Sequence, residues 1–332
     1  MTQAVMGAAA PPSHAVLEQA ARWYALLRDG KAGLQDQADW KAWLRADEAH
    51  RTAWRYVEDI RRDFEPLRGK PDARLATDAL NTATERMHSR RRLLAGAAVV
   101  SSGSLLGWLG WRQDLLPAGL MAWGADHRTA TGEQREITLA DGSRVWLNTA
   151  SAVNVKFDAR ERVIVLVEGE AFIATSKNSA RPFIVETAQG RMRALGTRFN
   201  VRRDAALTRL AVYDGAVEIR TADGSATRIV PAGQQAYFGA DRIAASEAAD
   251  QAREAWAQGA LVADNISLRQ VVEELRRYRR GHLGVADDVA GLTVYGNFPI
   301  HDTDRVLRML ASALPIRIEQ PMPWWTSIEA RR

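Results

Sequence analysis

Cysteine is absent from the 332 residues. That excludes disulfides, thiolate metal sites, a cysteine nucleophile and a lipid-modified cysteine anchor, and it lets the chain stand in an oxidising or a reducing compartment. An excess of charge of one sign is also missing. The 45 Lys+Arg face 40 Asp+Glu, and a net charge of +5 over this length does not argue for nucleic acid. Residues 1–92 hold 16 basic and 13 acidic side chains, where a DNA surface would need a clear basic excess. No P-loop, HExxH, GxSxG or GxGxxG motif occurs. His14, His50, His88, His127, His282 and His301 show no helical metal-ligand spacing, and the carboxylates form no assignable acid/base pair. No metal, no cofactor and no ordinary multiple-turnover enzyme is expected. Residues 1–13 have neither a charged n-region nor an apolar run, so they read as a disordered leader rather than a secretory signal.

One uncharged run is present. Leu93 to Trp111 is 19 residues long, about 28 Å as a helix, which matches a hydrocarbon core. Trp108 and Trp111 mark one end, and Arg90, Arg91 and Arg92 the other. The positive-inside rule then places the N-terminal third in the cytoplasm and the remainder outside, with residues 90–112 as a single membrane anchor. Arg90 and Arg91, followed by one spacer and two leucines, also form a twin-arginine export signal.

The segments on either side differ in rhythm. Residues 14–65 carry three runs of helical period, with Trp23, Trp40, Trp43 and Trp54 on apolar faces. Each tryptophan is either bundle core or part of a docking surface. Residues 66–89 read as a linker. Residues 128–243 alternate in short strands parted by Asp141-Gly142, Glu168-Gly169, Gln189-Gly190, Asp214-Gly215 and Asp223-Gly224. That pattern predicts an all-β sandwich, barrel or solenoid. Residues 244–262 read as a connecting helix and 263–320 as a compact α-β-β-α-β module. The last dozen residues have no assignment.

The order of these parts, and several short words within them, resemble the FecR family of transmembrane sigma-factor regulators. The words are Ala140-Asp141-Gly142-Ser143-Arg144-Val145-Trp146-Leu147-Asn148, Val167-Glu168-Gly169-Glu170-Ala171-Phe172, Arg181-Pro182-Phe183, Leu195-Gly196-Thr197-Arg198-Phe199-Asn200-Val201 and Pro231-Ala232-Gly233-Gln234. Leu268, Val272 and Leu275 with Phe298-Pro299 look like the short secretin/TonB N-terminal (STN) type of module. The resemblance implies an inner-membrane protein with a cytoplasmic N-terminus and a periplasmic C-terminus. Its N-terminal domain, including Trp23, Trp40, Trp43 and Trp54, would bind an extracytoplasmic-function sigma factor. Its outer part would receive a signal from the signalling domain of a TonB-dependent receptor that imports an iron chelate, and membrane-embedded proteases would act on it. Members of the family cleave themselves at the Gly-Thr step, here Gly196 and Thr197, the only Gly-Thr pair in the chain. The Thr197 hydroxyl would attack the Gly196 carbonyl in an N-to-O acyl shift, and water would hydrolyse the ester. Two rival readings are a membrane-tethered DNA-binding regulator and an envelope protein that binds or hydrolyses cell-wall polymer.

Overall fold

A computed structural model describes residues 12–29, 32–64, 124–176, 181–194 and 196–331. The expected anchor, its Arg90-Arg91 signal and the linker lie outside these residues. Among the described residues no helix is long and apolar enough to cross a membrane. The chain forms two compact units, one of residues 70–260 and one combining 1–69 with 261–332.

The first unit is all β: β1 (His127–Arg128), β2 (Arg135–Thr138), β3 (Arg144–Leu147), β4 (Ala152–Phe157), β5 (Arg162–Ala174), β6 (Phe183–Thr187), β7 (Gly190–Ala194), β8 (Arg198–Arg203), β9 (Thr208–Asp214), β10 (Ala216–Thr221), β11 (Thr227–Pro231), β12 (Gln234–Phe238) and β13 (Glu247–Ala248). One sheet runs β1-β4-β5-β6-β7-β10-β11, and the other runs β2-β3-β5-β8-β9-β12-β13. They share β5, which is long enough to serve both. Arg162 to Val165 pair with β4 and, in parallel, with β6, while Ala171 to Ala174 pair with β3 and β8. The changeover falls at Gly169, in the left-handed region at φ +84°, where a Cβ would lie 2.2 Å from Ser151 Oγ. Only glycine fits there. Burial along β7 alternates strictly, as a strand with one solvated face should. The inward residues, among them Leu147, Ile164, Leu166, Ile173, Phe183, Phe199, Leu210 and Phe238, form one core between the two sheets.

Residues 244–262, expected as a connecting helix, hold β13 and a shorter helix of 3-10 type, Gln251–Gln258, which Asp250 caps and left-handed Gly259 closes.

The second unit contains α1 (His14–Arg28), α2 (Leu34–Ala46) and α3 (Glu48–Phe64), then β14 (Ala260–Ser267), α4 (Leu268–Arg276), β15 (His282–Val285), β16 (Thr293–Pro299), α5 (Thr303–Ala313), β17 (Ile316–Met322) and β18 (Trp325–Ala330). The three expected helices are present. The expected α-β-β-α-β module gains a strand at each end: β14 pairs with β16, and β18 lies between β15 and β17. The Ser267 hydroxyl and the Gln270 side chain form a capping box that starts α4. Met322, Trp324 and Trp325, at the turn between β17 and β18, complete a core with Ala20, Ala21, Tyr24, Trp43, Ala53 and Val57 of the helices. The buried Glu18 carboxylate accepts from Trp325 Nε1 at 2.8 Å and from Ser327 Oγ. The sequence reading places these two parts on opposite faces of a membrane; a chain packed in this way has both on one side.

Candidate functional site

Gly196 and Thr197 lie where the chain leaves β7, in one sheet, and enters β8, in the other. The crossing is sharp, and Gly196 takes φ +77° to make it. A second crossing lies beside it. Between β9 and β10 the chain returns to the first sheet through Gly215, at φ +76°. The two corners touch: a Cβ on Gly215 would fall 2.5 Å from the Gly196 carbonyl oxygen and 2.8 Å from Thr197 Cγ2. Glycine at 215 is therefore a steric requirement of the paired corners, whereas at 196, where a Cβ would meet nothing within 4 Å, the left-handed φ is what favours it.

Gly196 is exposed, while Thr197 is only 3 % exposed. The Thr197 backbone is held by Thr175, just past the end of β5. The Thr197 amide donates to Thr175 Oγ1 at 2.9 Å, the Thr175 amide donates to the Thr197 carbonyl at 3.0 Å, and the Thr175 hydroxyl donates to that carbonyl at 3.2 Å. The Thr197 hydroxyl itself is buried with no hydrogen-bond partner. Leaving such a group unpaired costs about 1–3 kcal/mol, so an orphan of this kind calls for an explanation.

Residues from several of the family-like words meet in two buried polar clusters. Glu170 accepts from Asn148 Nδ2 at 2.9 Å and from Asn200 Nδ2 at 2.7 Å, and it pairs with Arg209 at 3.4 Å. Three words far apart in the chain thus join at one carboxylate that is 1 % exposed. In the second cluster Arg162 Nη1 donates to Asp141 at 2.5 Å, and its other nitrogens donate to the Arg181 carbonyl at 3.1 and 2.8 Å. Burial would raise the Asp141 carboxyl, but hydrogen bonds from Ser143 and the Arg162 guanidinium outweigh it and hold the group below its usual range. These clusters lock the strands together through buried hydrogen bonds and ion pairs, although Asn200 Oδ1 and Arg209 Nε stay without a partner.

All four singled-out tryptophans belong to the helical core: Trp43 is buried, and Trp23, Trp40 and Trp54 are partly buried against it. Trp40 and Trp54 lie 5.0 Å apart between ring centroids, and Trp43 stacks on His50 at 4.4 Å. The exposed apolar residues of the helices are instead Leu26, Leu34 and Tyr56. Sequence spacing also missed the meeting of His14, Glu18 and His282, whose ligand atoms lie within 4.8 Å of one another. His14 bonds Glu329 at 3.0 Å, Glu18 holds Trp325 and His282 Nδ1 bonds the Tyr56 hydroxyl at 3.3 Å, so all three are already engaged. Burial first, then Arg276 and His14, push His282 down to about 3. A neutral imidazole follows. Arg90 and Arg91 lie outside the described residues.

The chain therefore joins three helices and an α+β module to a two-sheet β domain in which a glycine corner carries an unpartnered threonine. Residues 125–218 match the family described as FecR protein, and residues 18–60 match a domain of unknown function, DUF4880. The family resemblance read from the sequence therefore holds over residues 125–218 of the β-rich segment. Two solved structures, at 1.65 and 2.50 Å, are similar. Both are of a protein from Parabacteroides distasonis ATCC 8503 that is provisionally described as an anti-sigma factor. Each is 24% identical with a TM-score of 0.50 and covers 61% of this chain, and the match spans 98% and 97% of the respective chains. At that identity the likeness concerns the fold alone. No curated protein matches the chain.

Proposed function

We propose that the protein is a membrane-spanning regulator of an extracytoplasmic-function sigma factor that cleaves itself once, between Gly196 and Thr197. The observation that carries this reading is the buried, unpartnered Thr197 hydroxyl beside the left-handed Gly196, within a FecR domain. A hydroxyl without a competing partner keeps its lone pairs free for the adjacent carbonyl, and the exposed glycine admits the water that finishes the reaction. One turnover per molecule does not make an enzyme in the ordinary sense.

In this reading the DUF4880 segment binds the sigma factor in the cytoplasm through the outer faces of the helices, with the four tryptophans as its supporting core. Residues 93–111 anchor the chain in the inner membrane. The FecR domain and terminal module receive the signalling domain of a TonB-dependent receptor of the iron-chelate importing kind. The terminal module, which the sequence likens to that domain, offers a free edge in the β14–β16 pair, where a strand of the receptor would add. Membrane-embedded proteases then release the cytoplasmic part. The packing of the helices on the terminal module belongs, on this account, to the chain before insertion, since the twin-arginine route carries folded domains.

The test is an immunoblot of membrane fractions from cells carrying the full chain with a tag at each end. Two fragments meeting at residue 196, replaced by one full-length band in Thr197→Ala, are the expected result. Full-length protein in the soluble fraction would overturn the membrane assignment.

A further inference from the structure

We infer that Thr175 is a catalytic residue of the acyl shift and delivers the proton that the departing nitrogen needs; the inference rests on the self-cleavage reading above. In the shift, a bond forms from Thr197 Oγ1 to the Gly196 carbonyl carbon and the bond from that carbon to the Thr197 nitrogen breaks. Oγ1 loses its proton, the nitrogen gains one, and the amide becomes an ester plus a free amine. Water then adds to the ester, leaving the Gly196 carboxyl and restoring the Thr197 hydroxyl. The difficult part is expulsion of nitrogen, which is a very poor leaving group unless it is protonated as the bond breaks.

Among the described residues, the side chain in contact with that nitrogen is Thr175, whose Oγ1 lies at 2.9 Å. In the resting chain it accepts the Thr197 N–H and donates its own hydrogen to the Thr197 carbonyl at 3.2 Å. When Oγ1 of Thr197 adds to the carbonyl carbon, the nitrogen becomes tetrahedral and gains a lone pair. A rotation of the Thr175 hydroxyl then turns its hydrogen from the carbonyl to the nitrogen, and Thr175 regains through solvent the proton that Thr197 released. The bond from the Thr175 amide to the Thr197 carbonyl at 3.0 Å holds the two residues in register throughout. Gly215 completes the arrangement by presenting bare backbone to the scissile carbonyl, where a Cβ would fall 2.5 Å from the oxygen.

The experiment follows cleavage of the full chain by pulse-chase, with Thr175→Val, Thr175→Ser and Thr197→Ala beside the unaltered protein. A thermal melt confirms that each variant folds. Valine keeps the shape and removes the hydroxyl, and cleavage is expected to slow by about 10²-fold, the scale of a lost proton donor. Serine restores the hydroxyl and should return the rate to within about threefold of the unaltered chain, a rescue that a purely packing role for the methyl group would not give. Hydroxylamine, which captures esters, should yield less hydroxamate at Gly196 from the valine variant. Valine at the unaltered rate, or serine as slow as valine, overturns the role of Thr175 and leaves self-cleavage standing. An unaltered chain that stays whole, or Thr197→Ala that still cleaves at residue 196, overturns the self-cleavage reading and this inference with it.

Discussion

A buried hydroxyl without a partner is a cost that folding normally avoids, and Thr197 carries one next to a left-handed glycine. Elsewhere in the same domain a buried charge meets its opposite. Asp141 and Arg162 are 2 % and 3 % exposed and bond at 2.5 Å. Replacing Asp141 by Asn leaves the guanidinium buried against a neutral group, and a loss of about 3 kcal/mol is expected in urea melts at neutral pH. The pH dependence has a defined sign. The folded-state pKa of Asp141 is depressed, so its contribution is present above the unfolded value near 4 and is lost as pH falls through the lower folded value. The gap between wild type and Asp141→Asn should therefore narrow in melts below pH 4. A gap that stayed constant with pH would assign the effect to packing instead. The Asp-Gly of this turn was legible in the sequence; its partner Arg162, 21 residues further on, was not.

At the scale of elements, helices and alternating strands were legible because their periods, 3.6 and 2, are written in consecutive residues. The three N-terminal helices and strands such as β7 follow that rule. Strand β18 does not announce itself. It follows Pro323 and Trp324, four of its six residues are buried, and its partners β15 and β17 come from separate parts of the chain. A strand buried on both faces loses the alternation that marks a half-solvated one. Because β18 is central in its sheet, a chain ending at residue 320 should lose the terminal module as a folded body. Limited proteolysis would show residues 261–320 digested rapidly, while the FecR domain stays resistant. Equal resistance in both chains would mean that β18 is dispensable.

At the scale of the molecule, the packing of α1 against the terminal module and a single crossing at residues 93–111 exclude each other in one inserted chain. Arg22 and Glu319 lie 4.0 Å apart across that packing, with the arginine largely exposed. The chain has no native cysteine, so Arg22→Cys with Glu319→Cys places two unique thiols there. A short bismaleimide should join them in soluble chains and leave them unjoined in membrane-inserted ones. Joining within inserted chains would refute the single crossing. From the sequence alone came the order of helical, β-rich and α+β parts, the uncharged run, and the Gly-Thr step, all properties of neighbouring residues. The tertiary structure alone decided that β5 bends two sheets onto one core, that Asn148, Glu170 and Asn200 meet, and that Gly215 and Thr175 flank the Gly196–Thr197 bond. Those relations join residues about 20 to 30 positions apart. Local propensity carries no term for such separations, and only burial of a common core brings them together.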